Sequence, residues 1–578
     1  MRNRDGFALE ATMFVMVLMT VLMLSTYSAA LSSTRASILD YQAARVAYAA
    51  EGGADAILAQ VADMLEDGVL EDAELDAVEL PEVEGFEFSD IRVEKIGVVE
   101  VERVTDGPFA GLYSLTQHIK ITSEATDPFG NTSAVAVGAK AQAFPIFQFG
   151  VFFEKDLEVS PGPRMDFRGW VHSNGNIYMS SRNAYFWNAV TTPNQVIHNK
   201  KSRNQVYHGV EISDASGNLQ TLDFDSRTHP NPAAFRTRSN ATFDNRLKTN
   251  AYGVDSLTLP LPDGVDAYEL LRPRDADDGL LERAAKFSWK ADFYTIIDLA
   301  NLNLGQGATA AELCAAMVVT RTGSKEVPSQ PDCMQIFDMT WETFWDGREQ
   351  RYVDVLEIDL AALFVWSAGD PSRVVNVLYV AFVNQPDGRD PSGDGIFPVV
   401  RLYNGQVLAN PLTVATDRPL YLLRDFNVGF WQPAAVAGDA ITVLSNAWDD
   451  TRQLQAQVMR YSAATTDIYA AILAGHSATP CDWYEPGCPG IWALRGGQLE
   501  NFPRFLENWS DRELNFSGSL VSMTVAQYAV GQFVCCGSYY RPPIRNWSFD
   551  TRFQDPQNLP PGTPVVGNII HTGFRPVY

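Results

Sequence analysis

From Phe7 to Thr34 the chain carries a single charge, Glu10, before Arg35 restores polarity, and a short basic leader, Met1 to Gly6, precedes the run. Roughly 20 apolar residues suffice to cross a bilayer, so the pattern predicts a membrane helix centred on residues 11–31. A carboxylate inside such a segment is costly unless a positive group meets it, and Glu10 therefore calls for a partner. A secretory signal would have an apolar core of only about 7–15 residues. This run is longer, although Ala29-Ala30 imitates a small-residue cleavage site, and a plain single-span anchor would look the same over Met13 to Leu24.

Past Arg35 no proline intervenes, and Ile38, Tyr41, Val46, Ile57, Leu58 and Val61 recur at helical intervals, which predicts one helix over residues 7–65. Small residues crowd its middle, at Ala43-Ala44, Ala47, Ala49-Ala50 and Gly52-Gly53-Ala54, a composition that permits close helix packing. The pattern then breaks. Glu66 to Glu84 holds nine acidic residues and no basic one, an acidic connector over 66–84. Alternation follows in Phe86 to Ile96, Val98 to Val104, Tyr113 to Thr122 and Ala134 to Phe144, with reversals at Gly107-Pro108 and Asp127-Pro128, so residues 85–150 are expected to form a four-stranded β domain.

Between Pro161 and Tyr178 the texture becomes short apolar pairs separated by Gly and Asn: Met165-Asp166-Phe167, then Gly169-Trp170-Val171-His172-Ser173-Asn174-Gly175-Asn176-Ile177-Tyr178. This rhythm of strand, tight turn and strand suits coils of a parallel β-solenoid, and residues 151–245 are read as β-rich on that ground. Leu514 to Val521 repeats it, so the C-terminal region, 501–578, is expected to return to the same sheet. Residues 246–500 read as a mixed α/β insertion, strand-like at Val353 to Val365 and Val374 to Val383 and helical at Ala310 to Val318 and Ala456 to Ala474. The fold class is thus α+β, a long N-terminal helix followed by a mostly β, multi-part head.

Several of these residues carry a family likeness. The leader ending in Gly6, the first mature residue Phe7, the early Glu10 and the stretch Ala47 to Leu58 with Glu51 and its glycines resemble type IV prepilins and pseudopilins, of the PilX or GspK kind. Islands at Gly169 to Tyr178, Phe502 to Trp509 and Arg545 to Pro564 resemble segments of large PilX-related proteins. The resemblance implies that a prepilin peptidase cuts between Gly6 and Phe7 and methylates the new amine, and that the helix packs into a filament of other pilins with Glu10 facing a neighbour's terminal amine. Such an ion pair would offset the burial cost of both charges. One feature departs from the family: its Glu is the fifth mature residue, whereas Glu10 would be fourth, about 100° away around a helix.

Charge and cysteines narrow the surroundings. The balance of 44 basic and 70 acidic residues gives −26, which disfavours nucleic acid and anionic lipid as partners; the clearest basic cluster, Lys200-Lys201 with Arg203, is expected to be a solvated loop. A content of 46% hydrophobic and 11% aromatic residues is that of folded matter. Six cysteines fit an oxidising compartment. Either near neighbours pair, Cys314 with Cys333, Cys481 with Cys488 and Cys535 with Cys536, or Cys481 and Cys488 cross-pair with the Cys535-Cys536 doublet.

Sharper chemistry is not evident. His172 beside Ser173 and Asn174 invites a catalytic reading, and His198, His208 and His229 a metal site, but no nucleophile–base pairing is fixed and a turn explains His-Ser-Asn-Gly as well. Asp390, Ser392 and Asp394 before Gly395 imitate a calcium loop, yet the twelfth position, where a bidentate Glu belongs, is Arg401. No cofactor and no enzymatic activity are expected. The reading is a minor pilin, inserted in the inner membrane with its head outside the cytoplasm and then assembled into a periplasmic or extracellular filament. Its large head suits a position at or near the tip, priming assembly or meeting a tip adhesin or an external surface. The alternatives are a type II secretion pseudopilin, or an anchored surface-binding protein that never polymerises.

Overall fold

A computed structural model describes residues 5–64, 78–89, 91–105, 108–259, 261–262, 264–302, 308–384, 395–452, 462–488, 496–533 and 539–577. Helix α1 (Asp5–Met64) is 60 residues long, about 90 Å at 1.5 Å per residue. Its last third lies on an antiparallel sheet of β1 (Glu87–Phe88), β2 (Arg92–Arg103), β3 (Tyr113–Thr126), β4 (Thr132–Pro145) and the terminal strand Val565–Val577. Val46, Ala50, Ala54, Ile57 and Val61 form the buried stripe, facing Ile119 and Ile121 of β3 and Val135, Val137 and Ala139 of β4. Gly53 sits within that stripe because a Cβ there would stand 2.3 Å from the Phe88 ring. The runs Phe86 to Ile96 and Val98 to Val104 are not two strands. Apart from the short β1 they form the single β2, whose register against β3 shifts between Ile96 and Glu100, beside Gly97 at φ 73°.

Beyond β4 the chain winds into a three-sided parallel solenoid. Phe149–Phe153, Leu157–Val159 and Met165–Phe167 form one turn. Trp170–Ser173, Ile177–Met179 and Ser181–Phe186 form the next, each strand pairing in parallel with its counterpart one turn back. This outward arm ends at Leu247–Lys248, under the helix Pro232–Phe243, which buries Phe235 and Phe243. The chain then crosses to the opposite end and winds inward, through Phe293–Asp298, Val377–Val383, Leu412–Thr416, Ala434–Gly438, Ala471–Gly475 and Leu520–Thr524 on one face, until Leu520–Thr524 pairs with Phe149–Phe153. That face is an 11-stranded sheet, all parallel except Met317–Arg321 at its edge. One core cluster runs from Val151 to Trp547, so residues 151–245 and 246–500 share one hydrophobic interior.

The crossing segment covers the outer side of the long sheet: Leu257, Tyr268, Leu271 and Phe287 pack on Ala415, Ala435, Ala437 and Ala471. Strands buried on both faces lose polar alternation. This accounts for Ala456 to Ala474, expected as a helix. Its described part holds the strands Thr466–Tyr469 and Ala471–Gly475, where alanine lets the crossing segment approach closely. The strand expected over Val353 to Val365 stops at Asp359, whose carboxylate accepts from Ala362 N at 3.0 Å and starts the helix Leu360–Ser367. At the far end the helices Ala310–Ala316 and Gln330–Ile336, each opened by a capping box, close the solenoid and are joined by Cys314–Cys333. The helix expected over Ala310 to Val318 therefore gives way to an edge strand at Met317.

Candidate filament interface and polar sites of the head

Along α1, burial divides the helix in two. Val46 to Val61 is docked, whereas Leu9, Phe14, Leu18, Leu22, Leu24, Tyr27 and Ile38 are all exposed. The segment Ala8–Val61 contains an 18-residue window of mean hydropathy 2.0, none of it covered by the rest of the protein. Hydroxyls within it are satisfied locally: Thr12 donates to Ala8 O at 2.9 Å, Thr20 to Met16 O at 2.7 Å and Thr34 to Ala30 O at 2.8 Å. Local bonds of this kind make polar side chains tolerable in apolar surroundings. Gly6 and Phe7 lie within the helical backbone, and Glu10 is exposed one turn on, with no ion pair among the described residues.

The histidines do not converge. His172 is fully buried, its ring packed by Phe109, Phe149 and Phe152 at 5.2–5.8 Å between centroids. Asn174 Oδ1 accepts from Leu257 N at 2.9 Å and lies 3.0 Å from His172 Nε2, so Nε2 carries the proton and donates; Nδ1 accepts from Thr191 Oγ1 at 2.9 Å. Both nitrogens are thus engaged, and burial lowers the ring's pKa to about 4. Ser173 donates to Lys155 O at 2.7 Å rather than to the imidazole. His198 bonds Tyr207 O and lies edge-on to His208, while His229 packs on Phe224. Among the described residues no three metal-ligating side chains cluster. Asp390, Ser392 and Asp394 lie outside the described residues.

Both described disulfides join near neighbours, Cys314–Cys333 and Cys481–Cys488, so the cross-pairing of Cys481 and Cys488 with the doublet does not occur; Cys535 and Cys536 lie outside the described residues. The loop closed by Cys481–Cys488 reaches across the junction of the two solenoid arms. Here the continuous ladder of the long face is not repeated: no strand pairing joins Arg504–Phe505 to Leu157–Val159 or Ile544–Phe549 to Met165–Phe167 among the described residues. Buried polar groups bridge the gap instead. Thr479 N donates to Glu158 Oε1 at 3.0 Å and Ser160 N to Glu500 Oε2 at 3.3 Å. Asp482 takes Tyr178 OH at 3.0 Å and the Arg227 guanidinium.

Lys201, expected in a solvated loop, is only 6% exposed. Its ammonium pairs with Asp156 at 2.7 Å and donates to Thr479 O. A lysine so placed needs a carboxylate beside it, and Asp156 comes from two turns earlier in the solenoid. Burial raises the carboxyls of Glu158 and Glu500 above the usual range. Sequence reasoning missed this polar junction because the contacts across it join residues separated by hundreds of positions, Glu158 with Thr479 and Tyr178 with Asp482 among them.

No protein-family model matches the chain, and no curated protein matches it. Among solved structures it is similar to the competence-associated pilin ComZ from Thermus thermophilus, at 13% identity over 92% of this chain and 97% of that chain, with a TM-score of 0.25. A likeness at that level carries no inference about fold or function.

Proposed function

We propose that this protein is a minor pilin: a non-enzymatic subunit held in the membrane by α1, processed between Gly6 and Phe7, and assembled through that helix into a type IV pilus-like filament. The observation that carries the reading is the division of α1. One third is docked on its own sheet, and ahead of it the run from Ala8 to Thr34 is apolar, uncovered and interrupted only by Glu10. A monomer in water would not keep such a surface bare. A bilayer and then the helices of neighbouring subunits would cover it in turn, with Glu10 meeting a neighbour's Phe7 amine. The solenoid suits a tip or near-tip position, because a head of this size crowds a helical array at every subunit.

The test is mass spectrometry of the N-terminus of protein taken from its native membrane or from sheared filaments. A methylated Phe7 as first residue is expected; an intact Met1, or a cut near Ala30, would return the chain to the anchored or secreted class. Immunogold labelling then checks the position. Label confined to filament ends is expected, and regular label along the shafts refutes the tip.

A further inference from the structure

A cleft of about 710 Å³ opens on the junction of the two solenoid arms, lined by Glu154, Lys155, Asp156, Asn174 and Lys201 from the outward arm and by Ser477 to Pro480, Val525 and Val530 from the return arm. Its wall consists of the C-terminal ends of four neighbouring parallel strands, Trp170–Ser173, Phe149–Phe153, Leu520–Thr524 and Ala471–Gly475. At about 4.8 Å per strand the wall extends roughly 14 Å, the reach of four extended residues. The volume lies in the range of sites that hold ligands of that size.

The two sides differ in chemistry. Val525 and Val530 are 48% and 63% exposed and stand beside Ala478 and Pro480. On the outward-arm side most polar groups are already committed: Lys201 to Asp156 and Thr479 O, Asp156 also to Asn176 N at 2.8 Å, and Asn174 to His172, Leu257 and Glu154. Glu154 is the exception. One of its oxygens accepts from Asn174 Nδ2 at 2.6 Å, and the other has no partner among the described residues. Lys155 is exposed and makes no ion pair among the described residues, although its charge acts on the Glu154 carboxyl beside it. A half-buried carboxylate with an open oxygen, on the strand beside the one that leads to Val525 in the same cleft, is complementary to a cation on an apolar stem.

We propose that this cleft binds a partner protein through an extended, lysine-bearing peptide, the lysine ammonium on Glu154 and its stem and apolar neighbours against Val525 and Val530. The site does not depend on filament assembly, so the two readings fail separately. The test uses the full chain in detergent and a peptide carrying fluorescein on its N-terminus, fluoresceinyl-Val-Ala-Lys-Ala-Val-amide, followed by anisotropy, with a second peptide carrying norleucine in place of lysine.

Saturable binding of the lysine peptide is expected, with E154Q weakening it about ten-fold or more, the factor of one charge-assisted hydrogen bond. The norleucine peptide should be weaker by a similar factor and insensitive to E154Q. V530D should weaken both peptides, and K155Q should strengthen the lysine peptide. An unchanged melting temperature in E154Q separates loss of the site from loss of the fold. Absence of saturable binding at millimolar peptide, equal loss in D223N elsewhere on the outward arm's surface, or cadaverine binding as tightly as the peptide would each overturn the proposal.

Discussion

Ser445, fully buried at the end of the strand Ile441–Leu444, concentrates more hydrogen bonds on one hydroxyl than any composition-based reading would anticipate. Its Oγ accepts from Ala447 N and Ala464 N, both at 3.1 Å, and donates to Glu507 Oε1 at 2.7 Å; its backbone N–H donates to Glu507 Oε2 at 2.8 Å. Replacing it with alanine removes the hydroxyl donor to a buried carboxylate, about 1.5–3 kcal/mol, and leaves two partly buried N–H groups without an acceptor, about 0.5–1 kcal/mol each. Since such terms do not add fully, S445A should cost about 3 kcal/mol.

The cost depends on pH. Burial pushes the Glu507 carboxyl up to about 7 from 4.5, so the folded state holds a proton that the unfolded state releases, and stability falls as pH rises through that window. Without Ser445 Oγ the charged carboxylate loses a donor, and the penalty grows on the alkaline side. Urea titrations at pH 5 and pH 8, read by tryptophan fluorescence, should therefore give a larger loss at pH 8. A loss under about 1 kcal/mol at pH 8, or one equal at both pH values, refutes the reasoning.

Serine replacement of both Cys314 and Cys333, separated by 19 residues, should cost about 3 kcal/mol by loop entropy and open amides of 310–340 to hydrogen exchange; unchanged protection would show that the cap holds without its staple. G518A should misfold the last coil, because a Cβ there would stand 1.8 Å from Ala470 O; a variant with wild-type urea midpoint counts against the packing described. The His172 imidazole, lowered to about 4 from 6.5 by burial, should stay neutral through pH 5. Stability from this group falls as pH drops through 6.5 towards 4, by up to about 3 kcal/mol, and an imidazole NMR titration near 6.5 would refute it.

What could be read from the sequence was what depends on near neighbours. The α1 pattern needs only the spacing of apolar residues, and the solenoid texture at Gly169 to Tyr178 needs only turns followed by short strands. The Ala471–Gly475 strand was hidden because its partners, Ala434–Gly438 and Leu520–Thr524, are remote, and its alanines favour a helix when considered alone. The burial of Lys201 is hidden for the same reason: the carboxylate that lets it be buried, Asp156, precedes it by two turns of the solenoid. The end of the strand at Asp359 does carry a local sign, a carboxylate placed to cap Leu360–Ser367. His172 shows the opposite error, since His-Ser-Asn invites chemistry until the aromatic ring packing around it is known.

The outward arm leaves the sheet at β4 and the return arm re-enters it as Val565–Val577, and these strands are paired side by side from Pro145 with Val565 to Ala134 with Val577. A pull along α1 is delivered through its packing to β3 and β4, and the strands that bracket the solenoid resist it as neighbours loaded in shear. The coils stand outside that load path. Tension borne by the helix would leave the solenoid unstretched, so its length and surface are free to vary without weakening the mechanical link below it.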